Sequence, residues 1–253
     1  MAFDLESARR RLAGRRVEWH DELDTTMREA ARLASAGAPA GTLVGAEMQR
    51  MGQGRQGRHW HSPQGEGLYF TTILRLDLPP RRLPVVTLAL GVAVVDVVKM
   101  LTGLACDLRW PNDVLVNERK LCGILTQLHE GAILAGIGLN VNQSEFPAEL
   151  SESATSLRIE TGEMHAREPL LAALGTSIDS NVRILATGGA VPILTLFSTN
   201  STYTEGKRVE VELPTGAVRG TTAGLTADGF LRLKLDTGGE AVITAGGVRP
   251  IHD

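Results

Sequence analysis

Residues 83–101 constrain the fold most, being apolar nearly all round with Pro84 in what would be the first turn of a helix. A helix without a polar face has to be covered on all sides, so the rest of the chain is expected to bury it. Its most apolar part, 85–98, is interrupted by Thr87 and Asp96 and reads as too short to span a bilayer. A chain of 253 residues can bury such a helix without disulfides or a metal staple. Hydrophobic residues at 43% and charged residues at 22% exclude wholesale disorder, a coiled coil and a collagen-like fibre. A net charge of −3 is too near neutral to imply nucleic-acid binding and leaves room for a local basic patch. Cys106 and Cys122 form neither a C-x-x-C pair nor a zinc spacing. The first ten residues lack the apolar region of a signal peptide, so a cytoplasmic protein without a membrane partner is expected.

Around the apolar helix, strands and helices are mixed. A short helix over 4–13 ends at Gly14, a strand covers 17–23, and Asp24, Thr25 and Thr26 open a second helix. Thr26 and Glu29 have capping-box spacing, and Gly37 supplies a left-handed stop. A strand over 42–48 leads into an irregular loop, 50–67, and then into an alternating strand, 68–76. Three further strand regions follow, 107–116 (broken by a turn), 120–128 and 132–141, and then helices over 168–187 and 191–199. Strands adjacent in sequence predict an α/β (α+β) domain with a mixed sheet over 1–203. From 204 to 253 the texture changes to short strands at 207–213, 217–224, 230–235 and 240–244, parted by turns at 214–216, 227–229 and 237–239. Their even spacing predicts a small closed β-barrel.

Three segments carry the chemical signal. The first holds Arg50, Gly52, Gln53, Gly54, Arg55, Gly57, Arg58 and Trp60. Its glycines match G-x-G-x-x-G by letter, but a dinucleotide turn must run into a helix, and here Pro63, Gly65 and Gly67 precede a strand. Exposed backbone N–H groups and guanidinium forks suit phosphate oxygens. A solvated surface loop is the plainer alternative, although no acid lies nearby in sequence. The second segment joins Arg109, Trp110, Pro111, Asn112 and Asp113 to Lys120 and Gly123. The turn places an amide beside a carboxylate, and Lys120 begins an apolar strand from which it can hold an anion or simply reach water. The third is Gly136, Gly138 and Asn140, where missing side chains permit close approach to the backbone. Taken alone, such a segment is more often just a glycine-softened strand end. His59 and His61 flank Trp60 and read as solvent-facing, and Cys122 as a small buried thiol.

In order and spacing these segments resemble the catalytic domain of biotin protein ligases. The family's Gly-Arg-Gly-Arg-x-Gly-Arg-x-Trp is similar to 52–60, its Lys-Trp-Pro-Asn-Asp to 109–113, its Lys-Leu-x-Gly-Ile-Leu to 120–125 and its Gly-x-Gly-x-Asn to 136–140. Three positions depart from the pattern: Gln53 and Arg109 replace Arg and Lys, and the family's Ser-Thr-Asn reads Thr25, Thr26 and Met27. The resemblance implies a catalytic domain like that of class II aminoacyl-tRNA synthetases, with an SH3-like C-terminal barrel. It implies activation of biotin by ATP to biotinyl-AMP, then transfer to a lysine of a biotin carboxyl carrier protein, with Mg²⁺. It also implies site roles. Lys120, Arg55 and Arg58 would be catalytic. Biotin would meet Thr25, Thr26, Gln49, Gln53, Gly54, Arg55, Trp60, Lys120 and Gly123. The adenylate would meet Arg55, Arg58, Asn112, Lys120, Gly138 and Asn140, and Asp113 would assist a metal indirectly. The few residues upstream of Thr25 are too short for a winged helix-turn-helix, so no DNA binding is expected. The oligomeric state, a homodimer included, is left open.

Overall fold

The computed structural model describes residues 3–213 and 216–251. Pro214 and Thr215, within the expected turn at 214–216, lie outside the described residues. In chain order the elements are α1 (Leu5–Arg11), β1 (Val17–Leu23), α2 (Thr26–Ser35), β2 (Leu43–Gln49), β3 (Gly67–Leu74), α3 (Leu83–Thr102), β4 (Asp107–Arg109), β5 (Asp113–Val116), β6 (Arg119–His129), β7 (Ala132–Asn140), α4 (Leu157–Thr161), α5 (Arg167–Gly188), α6 (Ala190–Thr199), and the strands β8 (Glu205–Leu213), β9 (Gly216–Leu225), β10 (Leu231–Leu235), β11 (Glu240–Ile243) and β12 (Gly247–Pro250).

Seven strands form one sheet in the order β1-β2-β3-β7-β6-β5-β4. Only β1 and β2 run parallel, so the sheet is mixed as expected. Helix α3 packs against β4, β5 and β6 and against α5 and α6, which accounts for its lack of a polar face. By length and composition α3 is apolar enough to cross a membrane, which corrects the expectation that it is too short; here most of it is buried in the protein. Helix α2 covers the opposite face of the sheet with a second, smaller core of Met27, Ala30, Leu33, Val44, Ile73 and Leu134. Because both faces are covered, β3 is buried throughout, and its alternating sequence does not mark a wet face.

The start of α2 lies one residue earlier than the capping box suggests. Thr25 is the N-cap and accepts a hydrogen bond from the Met27 N–H, while Glu29 pairs with Arg32. Two elements went unseen in the sequence. One is α4, capped by Ser156, and the other is β12, an edge strand ending in Pro250. The second sheet runs β11-β10-β9-β8-β12. It is antiparallel throughout, in keeping with the expected small SH3-like barrel, and its end strands do not pair with each other among the described residues. Val209, Val211, Leu231 and Val248 of this sheet join the same core as α3. Trp110, 2% exposed, donates its indole N–H to the carbonyl of Gly229 at 2.9 Å and so ties the two sheets together.

Candidate functional site

The site is laid out on β6 and β7, where Gly123 faces Gly138 and Leu125 faces Gly136. Gly136, Gly138 and Asn140 alternate along β7 and therefore share a face. A Cβ at 138 would lie 2.4 Å from the Trp60 indole, and one at 123 would lie 2.8 Å from it. The group that approaches these glycines is thus the protein's own tryptophan, delivered by the 50–67 loop. The loop is more ordered than its composition suggests. Met51 and Arg50 donate backbone N–H bonds to Asp24 and Leu23 at its base, at 2.8 and 3.0 Å. Gln53 bridges His59, and Gly54 donates to the Arg58 carbonyl at 2.7 Å across a 3₁₀ turn. That turn requires positive φ at Gln56 (58°) and Gly57 (72°), a conformation that suits glycine.

The arginines of the loop are not without acids, as the local sequence suggested, because their partners come from distant segments. Arg50 pairs with Glu22, and Arg58 reaches Glu212 of β8 at 3.4 Å. Glu212 also meets Arg249 of β12, at 3.3 Å. Arg55 donates to the Asn112 side-chain oxygen (3.2 Å) and to the Gly246 carbonyl (3.3 Å), so it bridges the two sheets. Burial pushes its guanidinium below the ordinary value, against the opposing pull of Asp113.

Register places Asp113 opposite Gly123, between two cations. Its carboxylate meets Arg109 at 2.8 Å and the Lys120 ammonium at 2.5 Å. Burial would raise its pKa, but the charges of Lys120 and Arg109 outweigh that and hold the carboxyl below its usual range. Asp113 thus stands as a buried anion held between the two cations, with one oxygen on each. The Lys120 ammonium also lies 5.3 Å from the Trp60 ring centroid. Asn112 is locked to the strand beside it, donating to the Ile124 carbonyl at 2.9 Å. Among the described residues, Glu18, His20 and Glu29 bring ligand atoms within 4.8 Å of one another elsewhere on the surface. Arg16 and Arg32 pair with the two carboxylates there, each at 2.5 Å.

One cavity of about 520 Å³ collects the predicted site residues. Thr25, Thr26, Gln49, Gln53 and Gly54 line it, as do Arg55, Arg58, Trp60, Asn112 and Asp113, and Lys120, Gly123, Gly138 and Asn140 complete the expected set. The buried Thr26 hydroxyl is within 2.9 Å of the Thr71 hydroxyl, and its N–H donates to Gln49 Oε1 at 2.9 Å. Asn140 points its amide at the Thr155 carbonyl (2.9 Å) and accepts from Gln143 (3.3 Å), so it braces the 154–156 segment. His59 is exposed as expected, whereas His61 is half-buried, and both line the cavity; burial pushes the Cys122 thiol well above its ordinary pKa, in keeping with the reading of Cys122 as a small buried thiol. Phe146, Leu150, Ser153 and Ala154 also line the cavity, as do Gly246, Gly247, Val248 and Arg249 from the second sheet. Sequence reasoning missed both groups, which carry no motif and reach the cavity only through tertiary folding.

Comparison with known proteins agrees with this architecture. Residues 8–144 match the model of the biotin/lipoate A/B protein ligase family, and residues 204–248 match the biotin protein ligase C terminal domain. The bifunctional ligase/repressor BirA of Bacillus subtilis is 35% identical over 239 residues, covering 92% of this chain and 73% of that protein. The biotin acetyl-CoA-carboxylase ligase of Mycobacterium tuberculosis is 34% identical over 222 residues, covering 86% of this chain and 81% of its own. The structure of biotin protein ligase from Aquifex aeolicus in complex with biotin and ATP superposes with a TM-score of 0.81 at 30% identity, covering 94% of this chain and 99% of that one. A mixed sheet that carries glycine seats for a loop tryptophan, backed by a small antiparallel sheet, is therefore a ligase architecture. The chain belongs to the biotin/lipoate A/B protein ligase family.

Proposed function

We propose that this chain is a biotin protein ligase, which joins biotin to AMP at the expense of ATP and then passes it to a carrier lysine. The observation that carries this reading is the polarity of this cavity. Neutral hydrogen-bonding groups (Thr25, Thr26 and Gln49) line one part of it, while Arg55, Arg58 and Lys120 supply cations in another. A neutral ureido ring with a carboxylate tail, followed by a triphosphate, has the complementary pattern.

In the first step the biotin carboxylate attacks the α-phosphorus of ATP and pyrophosphate leaves. Both reactants are anions, so the barrier falls where fixed cations meet the charge that develops. Lys120 holds the carboxylate against the α-phosphate, which requires it to exchange Asp113 for the incoming anions. Arg55 and Arg58 take phosphate oxygens, Asn112 borders the adenylate, and Asn140 steadies the segment that covers it. In the second step a lysine amine of a biotin carboxyl carrier protein attacks the mixed anhydride and AMP leaves. Neither step uses an enzyme nucleophile. Among the described residues that line the cavity Asp113 is the one carboxylate, and it would assist Mg²⁺ indirectly once Lys120 turns to the incoming anions. Mg²⁺ would enter with the nucleotide, bound through its phosphates.

A cytoplasmic location and the absence of operator binding belong to this reading, the second supported by the net charge of −3. A gel shift with promoter DNA at physiological salt that showed sequence preference would remove it. The chemistry is tested by biotin-dependent exchange of labelled pyrophosphate into ATP, with octanoate as the control. Exchange with biotin alone is the expected result. Exchange with octanoate instead would move the chain to the lipoate side of its family.

A further inference from the structure

Met27 occupies a place that the family resemblance assigns to a polar residue, and the geometry gives it a different task. Its side chain is 5% exposed, and its thioether lies across β7 where Gly136 has no Cβ. A Cβ there would sit 2.8 Å from the sulfur and 3.5 Å from Met27 Cγ. Met27 lines the cavity on one side and packs on the other into the small core with Ala30, Leu33 and Val44, none of which reaches the cavity. It is the partition between the two spaces.

Along β7 the next residue on the same face is Gly138, about 7 Å away at the usual strand rise. Gly138 is paired with Gly123, whose Cβ position is 3.3 Å from the Lys120 ammonium. The cavity floor thus runs from a thioether at Gly136, over the Trp60 indole seated on Gly138 and Gly123, to the Lys120 ammonium. We propose that Met27 is the end stop of this track, so that the spacing between its sulfur and the Lys120 ammonium sets the length of carboxylic acid that the site activates. The proposal rests on the ligase reading, in which Lys120 receives the carboxylate and the ring system lies beside Thr26. An unbranched thioether suits the position because it lies flat over a bare strand, which a β-branched side chain cannot do.

The test compares kcat/KM in pyrophosphate exchange for biotin and for a homologue one methylene longer in its side chain. One methylene in an apolar pocket is worth roughly 10- to 200-fold in discrimination. Met27→Ala is expected to raise the homologue-to-biotin ratio at least about tenfold, mainly through KM, whereas Met27→Leu keeps the ratio within about threefold of the parent. Gly136→Ala provides an independent arm, because its methyl pushes the thioether into the cavity and should shift preference toward a biotin one methylene shorter. Circular dichroism establishes which variants fold, and Gly136→Ala stands if Met27→Ala does not. An unchanged ratio in a folded Met27→Ala or Gly136→Ala, or a Met27→Leu shift as large as that of Met27→Ala, overturns the end-stop role. Failure of the parent protein to exchange with biotin is a separate result, which overturns the ligase reading and the end stop with it.

Discussion

Lys120 and Arg55 line the same cavity, yet one is placed by strand register and the other by contacts borrowed from another sheet. Lys120 is the second residue of β6, lies beside Gly123 and is held by Asp113 at 2.5 Å, all within one antiparallel ladder. Arg55 sits in a loop that is pinned at Arg50 and at Trp60, and its own guanidinium is held by Asn112 and by Gly246. The first arrangement exists before any ligand arrives. The second depends on two parts of the chain remaining together. Making the intermediate should therefore rely on the ladder, and keeping it should rely on the loop.

The contrast is broken most directly at Lys120. Replacing it with alanine removes the cation between two anions, and pyrophosphate exchange should fall about a hundredfold, equivalent to roughly 3 kcal/mol of barrier. Exchange at the parent rate would show that the ladder does not make the intermediate.

Asp113→Asn tests the other member of the pair. Lys120 and Arg109 would lose their shared counter-charge, and stability should drop by about 2 kcal/mol, less than for a fully buried pair because Lys120 can reach water. Its pH signature has a definite sign. Because the folded pKa is depressed, the stabilisation is present above the ordinary carboxylate value near 3.9 and is lost as pH falls through the lower folded value. Thermal unfolding of the parent should thus steepen its decline below about pH 4, and the variant should lack that component. Parallel curves for the two proteins would contradict the ion-pair account.

Arg55→Gly addresses the loop. Exchange should persist within about tenfold, while adenylate escapes and biotin incorporation into serum albumin rises above the parent level. Glu212→Gln releases Arg58 and Arg249, which are both solvent-facing, and should alter exchange by no more than about threefold. A larger loss there would mean that the loop's grip on the second sheet carries as much as the ladder does.

The parts of the site that were legible in the sequence are those encoded by short-range spacing. Gly123, Gly136 and Gly138 announced a close approach to the backbone, and Lys120 stood out as a cation opening an apolar strand. What approaches the glycines was not legible, because Trp60 lies 63 positions before Gly123 and only the fold brings them together. Glu212 and Gly246 were invisible for the same reason, since pairings across more than a hundred residues leave no periodic trace. The N-cap was misplaced by one residue because Thr25 and Thr26 are chemically equivalent, and the choice falls to Gln49, which holds the Thr26 N–H. Strand β12, four residues long with glycine at one end and proline at the other, has too little propensity to be read at all.

The hydrogen bond from Trp110 to Gly229 bears on how such chains can be recombined. Gly229 adopts a φ of 81°, and a Cβ there would sit 3.2 Å from both Leu88 and Val85 of α3. A C-terminal segment grafted from elsewhere must bring a bare, left-handed residue to that point, or the indole loses its acceptor and the central helix its cover. The small sheet is thus keyed to its own partner rather than an interchangeable cartridge, and the key is a single residue outside the cavity lining.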